Sequence, residues 1–184
     1  VWTQKSSLPG AERHHPYYFG IGDTAYVGFG HSGPNIYKDF YKWDSSNDTW
    51  TRLGDFPGEG RVAGEQFSLN GKGYIISGQG EDHRDLDTGE MHVYHPDLDL
   101  WFEKDPHPGT ARWAPGTFVH NNAVYIFGGQ VDVTPGNRGN LSSMYFYQLE
   151  PSVSTEEFAE KESNEMRVYP NPIESKFQIT HKDI

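Results

Sequence analysis

Cysteine is absent from the 184 residues. Its absence excludes a disulfide framework, a thiolate metal site and a cysteine nucleophile, and leaves the compartment open. No apolar run approaches the length of a membrane-spanning helix. Basic charge is scarce: fifteen Lys and Arg stand against twenty-six Asp and Glu, and the net charge of -11 repels phosphate backbones, which argues against nucleic acid as a partner. The chain also lacks an initiator Met and a charged, apolar signal segment ahead of Val1, so the sequence is expected to continue upstream.

What is plentiful is aromatic side chain and turn chemistry. Eleven Tyr, eleven Phe and five Trp supply much of the apolar area, and such residues favour pleated, half-buried surfaces. Twenty-one Gly and twelve Pro punctuate the chain often, which suits many short strands and few helices.

The order of these residues repeats. Arg13, Arg61 and Arg112 are each followed thirteen residues later by a tyrosine, Tyr26, Tyr74 and Tyr125, and four residues after that by Gly30, Gly78 and Gly129. Trp50 follows Trp43 by seven residues as Trp101 follows Tyr94, and Trp2, Trp50 and Trp101 each precede a proline, Pro9, Pro57 and Pro108, by seven. The arginines lie 48 and 51 residues apart. A period near fifty with several short strands per unit predicts propeller blades rather than helical solenoids. The first unit is expected to place strands at 17–21, 24–29, 40–43 and 49–53. Its hairpins turn at residues that tolerate positive φ, such as Asn70-Gly71 and Asn121-Asn122 in the later units. Val1 to Leu8 aligns with the tryptophan strand that ends a unit and is expected to be an outer strand.

The order Pro-x-x-x-Arg, Tyr-x-x-x-Gly and aromatic-turn-Trp resembles the kelch repeat over residues 1–150. The third unit, with Val124-Tyr125-Ile126-Phe127-Gly128-Gly129, keeps the double glycine of that repeat, whereas Gly28-Phe29-Gly30 and Ser77-Gly78 break it, and no Trp follows Tyr147 by seven. The fold expected from the resemblance is all-β: a kelch-type β-propeller of which three four-stranded blades are present, at about 9–53, 57–104 and 108–150. Residues 151–165 are rich in Ser, Thr and Glu and read as a solvated linker. After it, Tyr169-Pro170-Asn171-Pro172 and the alternating Phe177-Gln178-Ile179 resemble the opening of the β-sandwich sorting domain at the C-terminus of type IX secretion cargo from Bacteroidota. That likeness implies a secreted or outer-surface protein, the type IX machinery as a partner, and a sorting domain that continues past residue 184.

In such blades the fourth-to-first and second-to-third connections emerge on one face. That face would gather Arg13, Arg61 and Arg112 with the long loops 31–38, 79–90 and 130–143. Converging guanidinium groups suit a carboxylate, such as that of an acidic sugar, although a repeated Arg also suits hydrogen bonding to loop carbonyls. His14, beside Arg13, is a candidate ligand-binding or acid–base residue, but adjacent strand residues point to opposite faces, so at most one of His14 and His15 should face inward. The acidic loop 81–90 offers oxygen ligands without calcium-loop spacing and reads as solvated. The tryptophans suit packing between blades better than sugar stacking. No metal and no cofactor is called for, and a galactose-oxidase-like copper site is disfavoured because its Tyr-Cys crosslink needs a cysteine. The reading is a secreted or cell-surface binding or scaffold module with a protein or glycan ligand at the loop face. The alternative is a kelch-type sugar epimerase or mutarotase acting on an acidic saccharide; fold does not choose between them.

Overall fold

The computed structural model describes residues 1–134 and 136–149, and among them it has fifteen strands and no helix. The first unit contributes β1 (Tyr17–Ile21), β2 (Thr24–Gly28), β3 (His31–Ser32), β4 (Asn35–Ile36), β5 (Phe40–Asp44) and β6 (Thr49–Arg52). The second contributes β7 (Glu65–Leu69), β8 (Lys72–Ile76), β9 (Gly89–His95) and β10 (Leu100–His107). The third contributes β11 (Gly116–His120), β12 (Ala123–Phe127), β13 (Gln130–Thr134), β14 (Asn137–Asn140) and β15 (Met144–Gln148). They pair as antiparallel meanders β1-β2-β5-β6, β7-β8-β9-β10 and β11-β12-β15. The hairpins β3-β4 and β13-β14, within stretches read from the sequence as plain loops, stand outside the blades.

Local chemistry accounts for the registers. Asn70 and Gly71 (φ 51° and 71°) and Asn121 and Asn122 (φ 49° and 57°) are left-handed at both turn positions, as a two-residue hairpin that follows the strand twist requires. The seven-residue spacing of aromatics is a cross-strand register: Trp43 sits opposite Trp50, and Tyr94 opposite Trp101. Left-handed Asp48 and Asp99 close these longer hairpins.

The cores lie between blades. Tyr17, Phe19, Tyr26, Phe29 and Phe40 of the first blade meet Ile75, Tyr94 and Trp101 of the second. Trp101 presents edges to Phe40 at 5.1 Å and Phe56 at 5.3 Å, so it serves blade packing as its spacing predicted. Alternation along β8 and β9 sends Tyr74, Ile76, Met91 and Val93 to the opposite face, where they meet Val124, Ile126 and Leu149 of the third blade. The inner strands β1, β7 and β11 run side by side along this arc. Gly73 is required by the first junction, because a Cβ there would fall inside the Phe19 ring. Both faces of the second blade are covered, whereas the third leaves Phe118, Phe127, Met144 and Phe146 exposed on one face of its sheet.

Two expectations change. Val1 to Leu8 forms no strand. Ser6 instead donates its backbone N–H and hydroxyl to Asp48 (3.1 and 2.9 Å), accepts from Trp50 Nε1 (3.0 Å), and Trp2 is fully exposed. An outer strand takes its ladder from a third strand in its own sheet. The third strand that lacks one, β15, lies two blades away, so the described blades make an open arc without a ladder between 1–8 and 145–149. The third blade accordingly has three strands rather than four among the described residues. The linker at 151–165 and the sorting motif Tyr169, Pro170, Asn171 and Pro172 lie outside the described residues.

Candidate functional site

Each blade begins with the same corner. His14, Val62 and Trp113 form isolated bridges to His31, Gln79 and Gln130, the segment just after each second strand. Each bridge exchanges two backbone hydrogen bonds of 2.8 to 3.1 Å. The next residue, His15, Ala63 or Ala114, is left-handed (φ 50°, 55° and 47°). Facing it, Phe29-Gly30, Ser77-Gly78 and Gly128-Gly129 are all left-handed pairs. The double-glycine conformation therefore persists where the sequence breaks the pair. Phe29 holds it by complete burial in the aromatic core, and Ser77 by hydroxyl bonds to the backbone N–H of Arg112 and to His107 Nε2 (3.1 Å). These corners bring the two sets of connections onto one face.

The three arginines occupy equivalent positions four residues before β1, β7 and β11, with their guanidinium groups turned into their own blades. Each reaches a residue within one position of the start of the third strand: Asp39 for Arg13, Glu90 for Arg61 (3.1 Å) and Ser143 for Arg112 (3.0 Å). Arg13 also donates to the Phe29 carbonyl, and Arg112 to those of Gly128 and Ser143. Tyr37, Phe56 and Tyr145 lie against the three guanidinium groups at 4.5, 4.6 and 5.0 Å. Arg61 and Arg112 are 1% and 2% exposed, and the Arg13 side chain 3%. Burial alone would lower the Arg13 pKa, but Asp39 outweighs it and leaves it raised; reciprocally, Arg13 overcomes burial and holds the Asp39 carboxyl below its usual range. Arg112 has no carboxylate partner among the described residues, and burial lowers its pKa. In the first and third blades this arrangement fastens the second and third strands together, whereas Arg61 reaches Glu90 alone and its Nε and Nη1 are buried without a hydrogen-bond partner among the described residues.

Solvent meets other residues. An open pocket of about 620 Å³ lies over the second and third blades, lined by Gln79, His83, Arg84, Trp113, Gln130 and Arg138 among others. Its wall is organised by Asp85, whose side chain is 7% exposed and which accepts from Arg138 (3.0 Å), Gln79 Nε2 (3.2 Å) and the Asp132 N–H (2.6 Å). Part of the acidic loop is thus a structural tie to the β13-β14 hairpin rather than a solvated run. Arg138 also pairs with Asp132 (3.1 Å) and lies over Trp113 at 5.3 Å. Arg84 is largely exposed, and its ion pair with exposed Asp82 is 3.9 Å long. Such a pair is worth little, so Arg84 is the cation at the pocket most readily given to an anionic ligand. His83 is left-handed (φ 60°), reaches the Pro34 carbonyl through Nε2 (3.4 Å), and stands edge-on to His31 at 5.2 Å.

Arg84, Trp113, Gln79, Gln130 and Arg138 were not singled out from the sequence. Trp113 follows the repeated Arg112, and Gln79 and Gln130 follow the repeated glycines, so their register in the repeat was a usable signal. His14 differs from expectation. The strand rule puts neighbouring side chains on opposite faces, but the left-handed turn at His15 brings the two rings together, with Nδ1 atoms 2.8 Å apart on the exposed face.

The chain matches no protein-family model. Over 133 residues it is 31% identical to the N-acetylneuraminate epimerase of Escherichia coli O1:K1 / APEC, an alignment covering 69% of this chain and 35% of that protein. The N-acetylneuraminate epimerases of Escherichia coli O157:H7 and Shigella flexneri are each 30% identical over 109 residues, 58% of this chain and 29% of theirs. The chain spans about a third of the length of these curated relatives. The homology and the all-strand architecture fit a partial, kelch-like β-propeller.

Proposed function

We propose that this chain contributes blades and a loop-face site to a sugar epimerase or mutarotase acting on an acidic saccharide. The observation that carries the proposal is the similarity to N-acetylneuraminate epimerases. The pocket supports it: Arg84 offers a guanidinium held by a long, exposed pair to Asp82 and open to bidentate capture of a carboxylate, Trp113 an aromatic surface, and Gln79 and Gln130 side-chain amides held by Asp85 and Asn140. His83 is the imidazole placed to exchange a proton with a bound sugar. Interconversion of anomers needs one group to take the proton of the anomeric hydroxyl and another to protonate the ring oxygen as the ring C–O bond breaks. Closure on the other face returns both protons.

This reading replaces the binding or scaffold module as the leading one, because the similarity favours an epimerase. The binding module keeps one distinct expectation, which is saturable capture of a glycan without exchange. Magnetisation-exchange NMR on N-acetylneuraminate, with N-acetylmannosamine as the uncharged control, separates the two. Faster anomer exchange for the acid alone, lost in Arg84→Ala, supports the epimerase. Binding with no faster exchange supports the module. Export through the type IX route and an outer-surface location are proposed on Tyr169, Pro170, Asn171 and Pro172, and deleting residues 169–172 and following export of the protein tests them.

A further inference from the structure

Three imidazoles meet at the corner of the first blade. One nitrogen from each of His14, His15 and His31 lies within 4.8 Å of the others. The backbone fixes two of them by the bridge, in which His14 N–H donates to the His31 carbonyl (3.0 Å) and His31 N–H to that of His14 (3.1 Å). The left-handed His15 turns its ring back to its neighbour. The ring centroids of His14 and His31 are 3.9 Å apart. His31 Nδ1 lies 3.2 Å from the Gly33 carbonyl and donates to it, which fixes the tautomer and leaves Nε2 a free lone pair.

The fold does not ask for these histidines. The equivalent positions hold Val62, Ala63 and Gln79 in the second blade and Trp113, Ala114 and Gln130 in the third. The same bridge and left-handed turn form there without a single imidazole. His14 and His15 are exposed and His31 is half-buried, so the cluster opens to solvent.

We propose that His14, His15 and His31 form a binding site for a divalent late first-row transition metal ion with right-angle coordination, copper(II) or nickel(II). The choice of ion follows from the bite of the pair. At metal–nitrogen distances of about 2.0–2.1 Å, a right angle at the metal separates two donors by about 2.9 Å, and a tetrahedral angle by about 3.3 Å. His14 and His15 hold their Nδ1 atoms 2.8 Å apart by a hydrogen bond whose shared proton the metal would displace, a spacing on the right-angle side. Three imidazoles leave coordination positions for water or a ligand from solvent. Trp113 stands edge-on to His15 at 5.0 Å, close enough for a paramagnetic ion to quench its fluorescence.

The test uses the untagged chain and a variant whose residues the fold already accepts at these positions, His14→Val with His15→Ala and His31→Gln, copied from the second blade. Copper(II) and nickel(II) are titrated by calorimetry and tryptophan fluorescence, with copper EPR as the structural readout. The expected result is one tight equivalent per chain, a nitrogen-split EPR signal, quenching that Trp113→Phe largely removes, and affinity lower by about a hundredfold in the blade-two variant. Circular dichroism of that variant should match the parent. Unchanged affinity in a folded variant, or quenching indifferent to Trp113→Phe, would overturn the site. Zinc bound with equal affinity, and a tetrahedral spectrum for the cobalt form, would overturn the right-angle geometry.

Discussion

His92 should make the fold acid-sensitive well above the carboxylate range. Its ring is 6% exposed and edge-on to Phe56 at 4.9 Å, and its Nδ1 is buried without a hydrogen-bond partner among the described residues. Burial, with the Arg61 charge second, pushes its pKa down to about 3. Unfolded, the ring titrates near 6.5. Between these values the unfolded chain holds a proton that the folded chain refuses, so the contribution is complete above about pH 6.5 and is lost as pH falls toward 3. From pH 7 to pH 5 the loss for this one residue is about 2 kcal/mol, a large share of an ordinary domain's stability. His95, also driven to about 3 by burial and then by Lys72 and Lys104, adds in the same direction. Glu65, whose pKa burial raises, acts oppositely and makes the raw pH curve ambiguous. His92→Leu resolves this. Urea unfolding of parent and variant, followed by tryptophan fluorescence between pH 5 and 7, should show the stability difference shifting by about 2 kcal/mol in the variant's favour at the acid end. Parallel curves for the two proteins would refute the reasoning.

Gly73→Ala puts a methyl group into the Phe19 ring and should cost about 1–3 kcal/mol by chemical denaturation, a loss that Phe19→Ala should partly cancel in the double variant. Tyr17→Phe removes the 2.7 Å bond from its buried hydroxyl to the Ser77 carbonyl, a side-chain tie between the first two blades, and should cost about 1–2 kcal/mol with the core intact. Arg13→Ala leaves Asp39 with the Tyr41 hydroxyl (3.0 Å) and should destabilise by about 2 kcal/mol at pH 7. Because the Asp39 pKa is depressed, that difference is present above pH 4 and fades as acid protonates the folded carboxyl; a constant difference down to pH 2 would deny the ion pair its role. Phe146→Asp places charge in the exposed apolar face of the third blade, and light scattering should show less self-association than for the parent; an unchanged mass distribution would mean that this face does not drive self-association.

The repeat was legible because it is written in local chemistry. Asn70-Gly71 demands a left-handed turn wherever it stands, and a seven-residue spacing of aromatics is the register of a hairpin, so strands, turns and the buried role of Trp101 followed from the sequence. The similarity of the three units likewise located the arginines at one corner of each blade. What sequence could not supply was anything dependent on a partner supplied by another blade. Trp2 carries the mark of an outer strand, but a strand exists only where a neighbouring edge offers its N–H and C=O groups, and that edge is two blades away. Asp85 looked like one carboxylate in a solvated run until Arg138, 53 residues on, closed against it. His14 and His15 were judged by the strand rule, which fails at a left-handed residue, and that conformation is imposed by the corner rather than by the histidine, since Ala63 and Ala114 adopt it too. Periodicity determines which residues share a face; only the packed blades decide which side chains meet there and which remain free for a ligand.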